Sequence, residues 1–490
     1  MKLSEIKLDD AIYPRRGVSP KLVDAYVSAL ELQAEDPDLP KFPPIEVQRV
    51  SGYLKPGDVA WLLVDGAHRL EAYAQRKIET IEAVEWQPGV VLDYETNKND
   101  LRLRSANLNV THGAKLSASD QEKVACDIAE NDREGKHTEK DIARMLGVSR
   151  VTVNGWISAI RNRQRASRDN EIIKLSRLGW TQEEIAGAVG LADKSSISKM
   201  LNNVTPDKIQ LLLSEGRDMP FIADLYRMSL PLAWSLRLEG KTDQERFSDK
   251  ELNWGLRTWD LWNFNKCDER FGDNWPGRIP AQLVAHTLFY FTKPGDLVFD
   301  PMAGGGVVPD TCLAFGRKCR AFDLATRESR PEIQKHEWVL DNMTWPALGG
   351  YGKKPHLIFF DPPYFSKMKS DYAEKAEGNG TSISDLSRTD YLRFFAQFFE
   401  LARKNAREGG RLAFLNADWR DFQSTAAMDE DPTAAITMFD YARLMTDAGW
   451  QITHTLDVPL SSERFTGNVV SHMQSNRTLG TTRRTLLIAR

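Results

Sequence analysis

Three stretches of this 490-residue chain combine residue types and spacings suited to chemistry. The first is Gly295-Asp296-Leu297-Val298-Phe299-Asp300-Pro301-Met302-Ala303-Gly304-Gly305-Gly306, an apolar run that ends in an acid and enters a glycine-rich turn. Glycines let a backbone approach a ligand closely, and ligands of doubly wound sheets bind at the carboxyl ends of strands. The second is Asp323, at the end of the next apolar run and about twenty residues on, where nucleotide-binding α/β folds place an acid that bonds ribose hydroxyls. The third is Phe360-Asp361-Pro362-Pro363-Tyr364, entered from the apolar run Leu357 to Phe360. Its two prolines fix the backbone so that a carbonyl is held beside the acid, and the tyrosine offers a π-face. Asp341-Asn342-Met343 reads two ways, as a contact to a cofactor's adenine ring or as a turn or helix cap.

A strand ending in Asp361-Pro362-Pro363-Tyr364, downstream of Asp300-Pro301-x-x-Gly304-x-Gly306, resembles the catalytic and cofactor motifs of the amino-methyltransferases that act on N6 of adenine or N4 of cytosine. The resemblance covers roughly the last 240 residues. It implies S-adenosylmethionine as cofactor, held by Asp300, Pro301, Met302, Ala303, Gly304, Gly306, Asp323, Asp341, Asn342 and Pro280, and catalysis by Asp361, Pro362, Pro363 and Tyr364. Pro280 enters through Arg278 to His286, which resembles the segment that closes over the cofactor's methionine end. An exocyclic amine is a poor nucleophile because its lone pair is delocalised into the ring. Acceptors at the Asp361 carboxylate and the Pro362 carbonyl would draw that nitrogen toward a tetrahedral form, and Tyr364 would stack on a base taken out of the duplex. Met302 stands where the family commonly has phenylalanine. Aspartate rather than serine at position 361 leans toward adenine, with cytosine N4 the alternative. The polar segment Ser366 to Thr389, with Gly378-Asn379-Gly380, reads either as a loop beside the site that orders on substrate or as plain surface.

The N-terminal half carries a different set. Val64-Asp65-Gly66-Ala67-His68-Arg69-Leu70 places a glycine turn between a strand and a helix, with two side chains of cationic character at a helix start suited to phosphate. With Tyr13-Pro14-Arg15-Arg16 and Ala106-Asn107-Leu108-Asn109 it resembles the ParB-like N-terminal domain, whose Gly-x-Arg-Arg becomes Gly66-Ala67-His68-Arg69. The resemblance makes Gly66, His68 and Arg69 a candidate phosphate or nucleotide site. Thr138 to Ile157 reads as a helix-turn-helix unit: Thr138 caps the first helix, Gly147 makes the turn and Ser149 starts the second. Ser149, Arg150, Thr152 and Asn154 are then expected to face a major groove, with Val151, Val153 and Ile157 packed. A second unit is expected from Trp180 to Lys199. Between the two, Arg161, Arg163, Arg165 and Arg168 form a basic run suited to phosphates.

The elements expected to position these residues divide the chain into an α/β ParB-like domain at 1–115, an all-α helix-turn-helix region at 116–205, a helical linker at 206–250, and a Rossmann-like doubly wound methyltransferase sheet at 251–490. A soft boundary is placed in the polar stretch Glu239 to Lys250. Apolar residues at 41% and charged residues at 27% fit a globular chain, and a net charge of −4 leaves any nucleic-acid affinity to local patches. Cys126, Cys267, Cys312 and Cys319 lack zinc-ligand or paired spacing, and no stretch has the apolar length to span a bilayer, which points to the reducing cytosol. The function expected is site-specific DNA methylation, with double-stranded DNA as partner, a homodimer as an option, and a phage, mobile-element or restriction-modification setting. The alternatives are a ParB-like binding or segregation protein with an inactive methyltransferase domain, and an RNA methyltransferase.

Overall fold

A computed structural model of the chain describes residues 1–15, 17–36, 38–111, 116–132, 135–191, 197, 201, 206–264, 266–349, 354–365, 382–420, 435–459, 467–475 and 482–490. It divides into two compact units, Met1–Ala166 and Ser167–Arg490.

The first unit opens with strand β1 (Ile6–Lys7) and helix α1 (Pro20–Glu35), followed by β2 (Ile45–Ser51), β3 (Val59–Asp65), α2 (Ala67–Gln75), β4 (Ala83–Glu85), β5 (Val91–Asp93) and α3 (Tyr94–Thr111). The sheet runs β1-β3-β2-β4, with β5 also beside β2; β2 and β3 are antiparallel and the other pairs parallel. Alternation along the strands explains its two cores. Ile45, Val47 and Leu63 pack with Ala67, whereas Val50, Leu62 and Val64 pack with Tyr94 and Leu101.

Three helices follow, α4 (Ala118–Asn131), α5 (Glu139–Leu146) and α6 (Arg150–Arg177). Thr138 caps α5 with Asp141 in a reciprocal box, Gly147 ends it in the left-handed region at φ 68°, and the Ser149 hydroxyl accepts from Thr152 N. Val124, Ile128, Ile142, Leu146, Val153 and Ile157 fill the seam. Val151, expected to pack, is 81% exposed. Two residues from Val153, it sits about 200° around the helix, on the opposite face. The arginine run lies inside α6.

The second unit is mixed α/β with a mostly parallel sheet. Its strands are β6 (Leu297–Asp300), β7 (Lys318–Asp323), β8 (Ile333–Lys335), β9 (Leu357–Phe360), β10 (Arg411–Asn416), β13 (Ile452–Asp457) and β14 (Thr485–Ala489); a short pair, β11 (Trp419–Arg420) and β12 (Ala435–Ile436), stands apart. The order is β13-β14-β10-β9-β6-β7-β8. The five strands from β10 to β8 are parallel, and β14 runs antiparallel to both of its neighbours. Both faces are covered, which is why the strands read as continuous apolar runs. Val298, Ala321, Phe359, Ala413 and Ile488 enter one core and Phe299, Phe322, Phe360, Phe414 and Leu487 the other.

The helices before the sheet are α7 (Gln182–Ala188), α8 (Pro206–Ser214), α9 (Met219–Tyr226), α10 (Leu230–Arg237), α11 (Asp243–Phe247) and α12 (Ala281–Phe291). After the strands begin come α13 (Val307–Ala314), α14 (Arg388–Asn405), α15 (Met438–Asp447) and α16 (Gly467–Ser475). The division differs from the expected one. Ile185, Ile209, Ile222, Trp234 and Phe247 share the core of Val298 and Phe359, so residues 167–205, expected in the helix-turn-helix region, and 206–250, expected as a linker, both belong to the sheet unit. Buried ion pairs reinforce this: Arg317 with Asp243 at 2.6 Å, Arg320 with Glu184 at 2.9 Å, and Lys174 with Glu332 at 2.7 Å. The polarity of 239–250 comes from side chains that pair inward, a pattern composition cannot separate from a linker.

Candidate active site

Three acids stand at the carboxyl ends of three neighbouring strands: Asp361 just past β9, Asp300 ending β6 and Asp323 ending β7. The chain leaves β6 toward β7 and β8 on one side, then returns to build β9 on the other. Asp300 and Asp361 therefore flank the switch point, where a crevice forms outside the strand ends.

Asp300 is 2% exposed. Its Oδ1 accepts from Met302 N at 3.2 Å, while Oδ2 is buried with no hydrogen-bond partner among the described residues. Burial pushes its carboxyl well above the ordinary range; the Met302 bond opposes this, and the charges of Asp323 and Asp361 add to it. Asp323 is half-buried and accepts from Gly304 N at 2.7 Å and from Ala325 N at 3.0 Å. Burial raises it too, against those backbone bonds.

The glycines prove necessary for the protein's own packing. A Cβ on Gly304, at φ +49°, would meet the Trp275 ring at 3.0 Å, and one on Gly305 would meet the Asp273 carbonyl at 2.9 Å. Arg327 lies over the Trp275 ring at 4.3 Å and donates to Gly304 O at 2.8 Å, which pins the turn from outside. Pro301 and Ala303 are buried beside the turn and Met302 packs against the aromatic core. Pro280 is buried at the N-cap of α12. In the following turns His286 is held neutral, its pKa lowered by burial to about 4, while its Nε2 accepts from Arg257 N at 2.9 Å.

Asp341 and Asn342 are exposed, and Asp341 adopts φ 65°. Its carboxylate takes Arg393 at 2.7 Å and Gln397 at 2.7 Å, both on α14. None of its described contacts reaches Asp300 or Asp323, so of the two readings of Asp341-Asn342 the turn is the one these contacts favour.

At the tetrapeptide, Asp361 is half-buried and Pro362 buried. The Tyr364 hydroxyl donates to Asp361 Oδ1 at 3.3 Å. Burial pushes Asp361 up to about 7, with Arg484 and then Tyr364 pulling it back. The Pro363 carbonyl accepts from the Tyr391 hydroxyl at 2.9 Å. Tyr391 is fully buried on α14, on the face it shares with Phe394, Phe395, Phe398 and Phe399. Neither Tyr391 nor Arg484 was legible in the sequence, because each reaches the motif from a distant segment with no characteristic spacing. Ser366 to Thr381, and with it Gly378-Asn379-Gly380, lies outside the described residues.

In the first unit the candidate phosphate site is turned inward. Arg69 is 8% exposed; it pairs with Asp65 at 2.8 Å and donates to the carbonyls of Pro43 and Pro44. His68 Nε2 accepts from Ser19 N at 3.1 Å, and burial lowers its pKa, ahead of the charge of Arg15. The pair expected to be cationic is thus one internally paired arginine and one acceptor. Gly66 takes φ +104°, and a Cβ there would meet Ile45 at 2.7 Å. Arg16 lies outside the described residues.

On the helix pair, Ser149, Arg150, Thr152 and Asn154 are exposed, with Arg150 paired to Glu139 at 3.0 Å. Arg163 is exposed. Arg161 differs: it grips Asp132 Oδ2 and O, each at 2.9 Å, and the His137 carbonyl at 3.0 Å, so it ties α6 to the α4–α5 turn. In the second expected unit, Trp180, Ile185 and Ala186 are buried in the sheet unit's core and Glu184 pairs with Arg320, while Ser195, Ser196, Ser198 and Lys199 lie outside the described residues.

No protein-family model matches the chain, and no curated protein does. Among solved structures, TrmN from Thermus thermophilus is similar at 16% identity over 44% of this chain and 50% of its own, with a TM-score of 0.25. The chain thus spans half the length of that protein. The C-terminally truncated chromosome-partitioning protein ParB from Caulobacter crescentus, complexed to the centromeric parS site, is similar at 15% identity over 46% of this chain and 97% of its own, with a TM-score of 0.21. The glycopeptide N-methyltransferase MtfA, complexed with S-adenosyl-L-methionine, is similar at 11% identity over 47% and 92%, with a TM-score of 0.24. At such scores the similarity identifies neither a family nor an activity. Among the described residues no helix is long and apolar enough to cross a membrane.

Proposed function

We propose that the second unit is an S-adenosylmethionine-dependent methyltransferase acting on an exocyclic base nitrogen of DNA, N6 of adenine before N4 of cytosine, and that the first unit contributes DNA contacts. The observation that carries the cofactor assignment is Asp300 Oδ2, a buried acceptor without a partner among the described residues, between two further carboxylates at the switch point. A buried Asp300 carboxyl whose pKa the charges of Asp323 and Asp361 raise further favours a ligand bringing positive charge and hydrogen-bond donors, and the cofactor's sulfonium, ammonium and ribose hydroxyls are of that kind. Asp300 and Asp323 would hold it, with the backbone of the Met302–Gly306 turn alongside. When bound, the cofactor supplies an electrophilic methyl group.

The chain's own residues then do the positioning. Asp361 Oδ1 is engaged by Tyr364, which leaves Oδ2 to accept from the amine, and the Pro362 carbonyl accepts the second amine hydrogen. Tyr391, bonded to the Pro363 carbonyl, keeps the two prolines in register. Transfer to nitrogen leaves one amine proton in excess, and the ionised Asp361 is the nearest base to take it. A half-buried tetrapeptide beside the switch point suits a flipped base better than a paired one. The exposed Ser149, Thr152 and Asn154 on the first turns of α6, and Arg163 further along, support duplex DNA over RNA.

Methyl transfer to duplex DNA, single-stranded DNA and RNA, with the product nucleoside identified, tests this. N6-methyladenine in DNA that Asp361→Ala abolishes is expected; label in RNA alone, or no cofactor binding, would overturn it.

A further inference from the structure

We infer that Arg330 is a positioning residue of the glycine-rich turn, a buried guanidinium that fixes the backbone of residues 303–306 in the shape a ligand at Asp300 and Asp323 meets. Its consequence for the cofactor rests on the methyltransferase reading; its geometry does not.

Arg330 lies between β7 and β8 and is 9% exposed. Five hydrogen bonds leave its side chain, as many as a guanidinium has N–H donors. Nη1 donates to Asp310 Oδ1 at 2.7 Å and to Glu332 Oε1 at 3.0 Å. Nη2 donates to Asp310 Oδ2 at 3.0 Å and to Asp273 Oδ1 at 2.9 Å, and Nε to the same Asp273 oxygen at 3.2 Å. Glu332, 1% exposed, takes Lys174 on its other oxygen at 2.7 Å.

Two of these acids belong to segments that touch the turn. Asp273 N donates to the Gly305 carbonyl at 2.8 Å. Asp310 stands on the first turn of α13, the helix that Gly306 caps, and its Oδ2 also accepts from Gly272 N at 2.7 Å. Arg330 therefore ties the segment at 272–273 to the helix that the turn enters. It also packs on the turn directly, since a Cβ on Gly306 would stand 3.1 Å from Nη1. The same turn is bonded to the proposed cofactor acids through its amides: Gly304 N donates to Asp323 Oδ2 at 2.7 Å and Met302 N to Asp300 Oδ1 at 3.2 Å. A ligand that contacts those acids meets a turn already in place and does not have to order it. Lysine keeps the charge but has no planar fork with which to bridge Asp273 and Asp310.

The test uses the full chain with Arg330→Lys and, as a milder change, Asp273→Asn, whose side chain is 39% exposed and whose backbone bond to Gly305 survives. Without cofactor, hydrogen exchange is expected to show the Gly304 and Gly306 amides losing about tenfold in protection or more, while amides of β9 and β10 keep theirs. Unchanged protection at the turn in both variants, or an equal loss throughout the sheet unit, overturns the inference. With S-adenosylmethionine added, its dissociation constant and KM are expected to rise about tenfold, with kcat at saturating cofactor near the parent value. An arginine that only stabilises the unit would lower kcat through lost folded protein and leave KM unchanged, and that result also overturns the inference. If the parent binds no cofactor, the assignment of S-adenosylmethionine fails by itself and the exchange arm still decides the role of Arg330: a loss confined to the turn upholds it, and a uniform loss or none overturns it.

Discussion

Asp361 carries two consequences of one fact, a carboxyl raised to about 7 by burial. A raised acid contributes stability that is complete below its unfolded pKa and is lost as pH rises through the folded one. Between about pH 4 and pH 7 the protein should therefore lose roughly 4 kcal/mol that Asp361→Asn retains. Unfolding midpoints of the two proteins should agree at the acid end, diverge between about pH 4 and pH 7, and stay apart above it, with the variant the more stable. Parallel curves would contradict the burial argument. Activity runs the opposite way, because the amine needs the ionised form, so transfer should climb through neutrality. The placement of Asp300, Asp361 and Tyr364 at the strand ends was legible because each sits in a contiguous motif that follows an apolar run. The surroundings of Arg69 and His68 were not legible, for the converse reason. Their types suit phosphate, but Asp65, the Pro43 and Pro44 carbonyls and the Ser19 amide, all within the fold, take their hydrogen bonds.

Helix α14 shows what an element adds. Its aromatic face, at positions 391, 394, 395, 398 and 399, anchors it to the sheet and carries Tyr391 to the Pro363 carbonyl. Tyr391→Phe keeps the ring and removes one buried hydrogen bond, so stability should fall by about 1 kcal/mol while transfer falls about tenfold from the loosened carbonyls. A loss of stability with unchanged transfer would remove Tyr391 from the site. The arginines of α6 separate in the same way. Arg161→Ala leaves the buried Asp132 with only the Lys136 and His137 contacts and should cost about 3 kcal/mol in the first unit. Arg163→Ala should leave stability unchanged and reduce the salt dependence of DNA binding by about one counterion. The helix-turn-helix was legible from its caps and turn, Thr138, Gly147 and Ser149. Which arginines face solvent was not, since a basic run carries no record of the acid waiting across a turn.

At the scale of the whole molecule, the parallel order of β10, β9, β6, β7 and β8 followed from apolar runs separated by helices, and the residues of the two faces alternate as a doubly covered sheet requires. The boundary did not follow, because the segment 167–250 pairs its charges with Arg317, Arg320 and Glu332 of the sheet unit. Arg317 is fully buried, so Asp243→Ala should cost about 3 kcal/mol or more and loosen the sheet unit itself, readable as lost protection of β7 amides from hydrogen exchange. Unchanged protection would return residues 206–250 to the status of a linker.

The central claim is that three rim carboxylates and a proline-fixed carbonyl hold S-adenosylmethionine and a base of DNA in place for methyl transfer between them. The most direct measurement is transfer from labelled S-adenosylmethionine to duplex DNA of diverse sequence by the full chain, by Asp361→Ala and by Asp300→Ala, with nucleosides resolved. The account predicts N6-methyladenine from the parent alone, with cofactor binding lost in Asp300→Ala and kept in Asp361→Ala. Equal label from the parent and Asp361→Ala, or cofactor binding indifferent to Asp300, would contradict it.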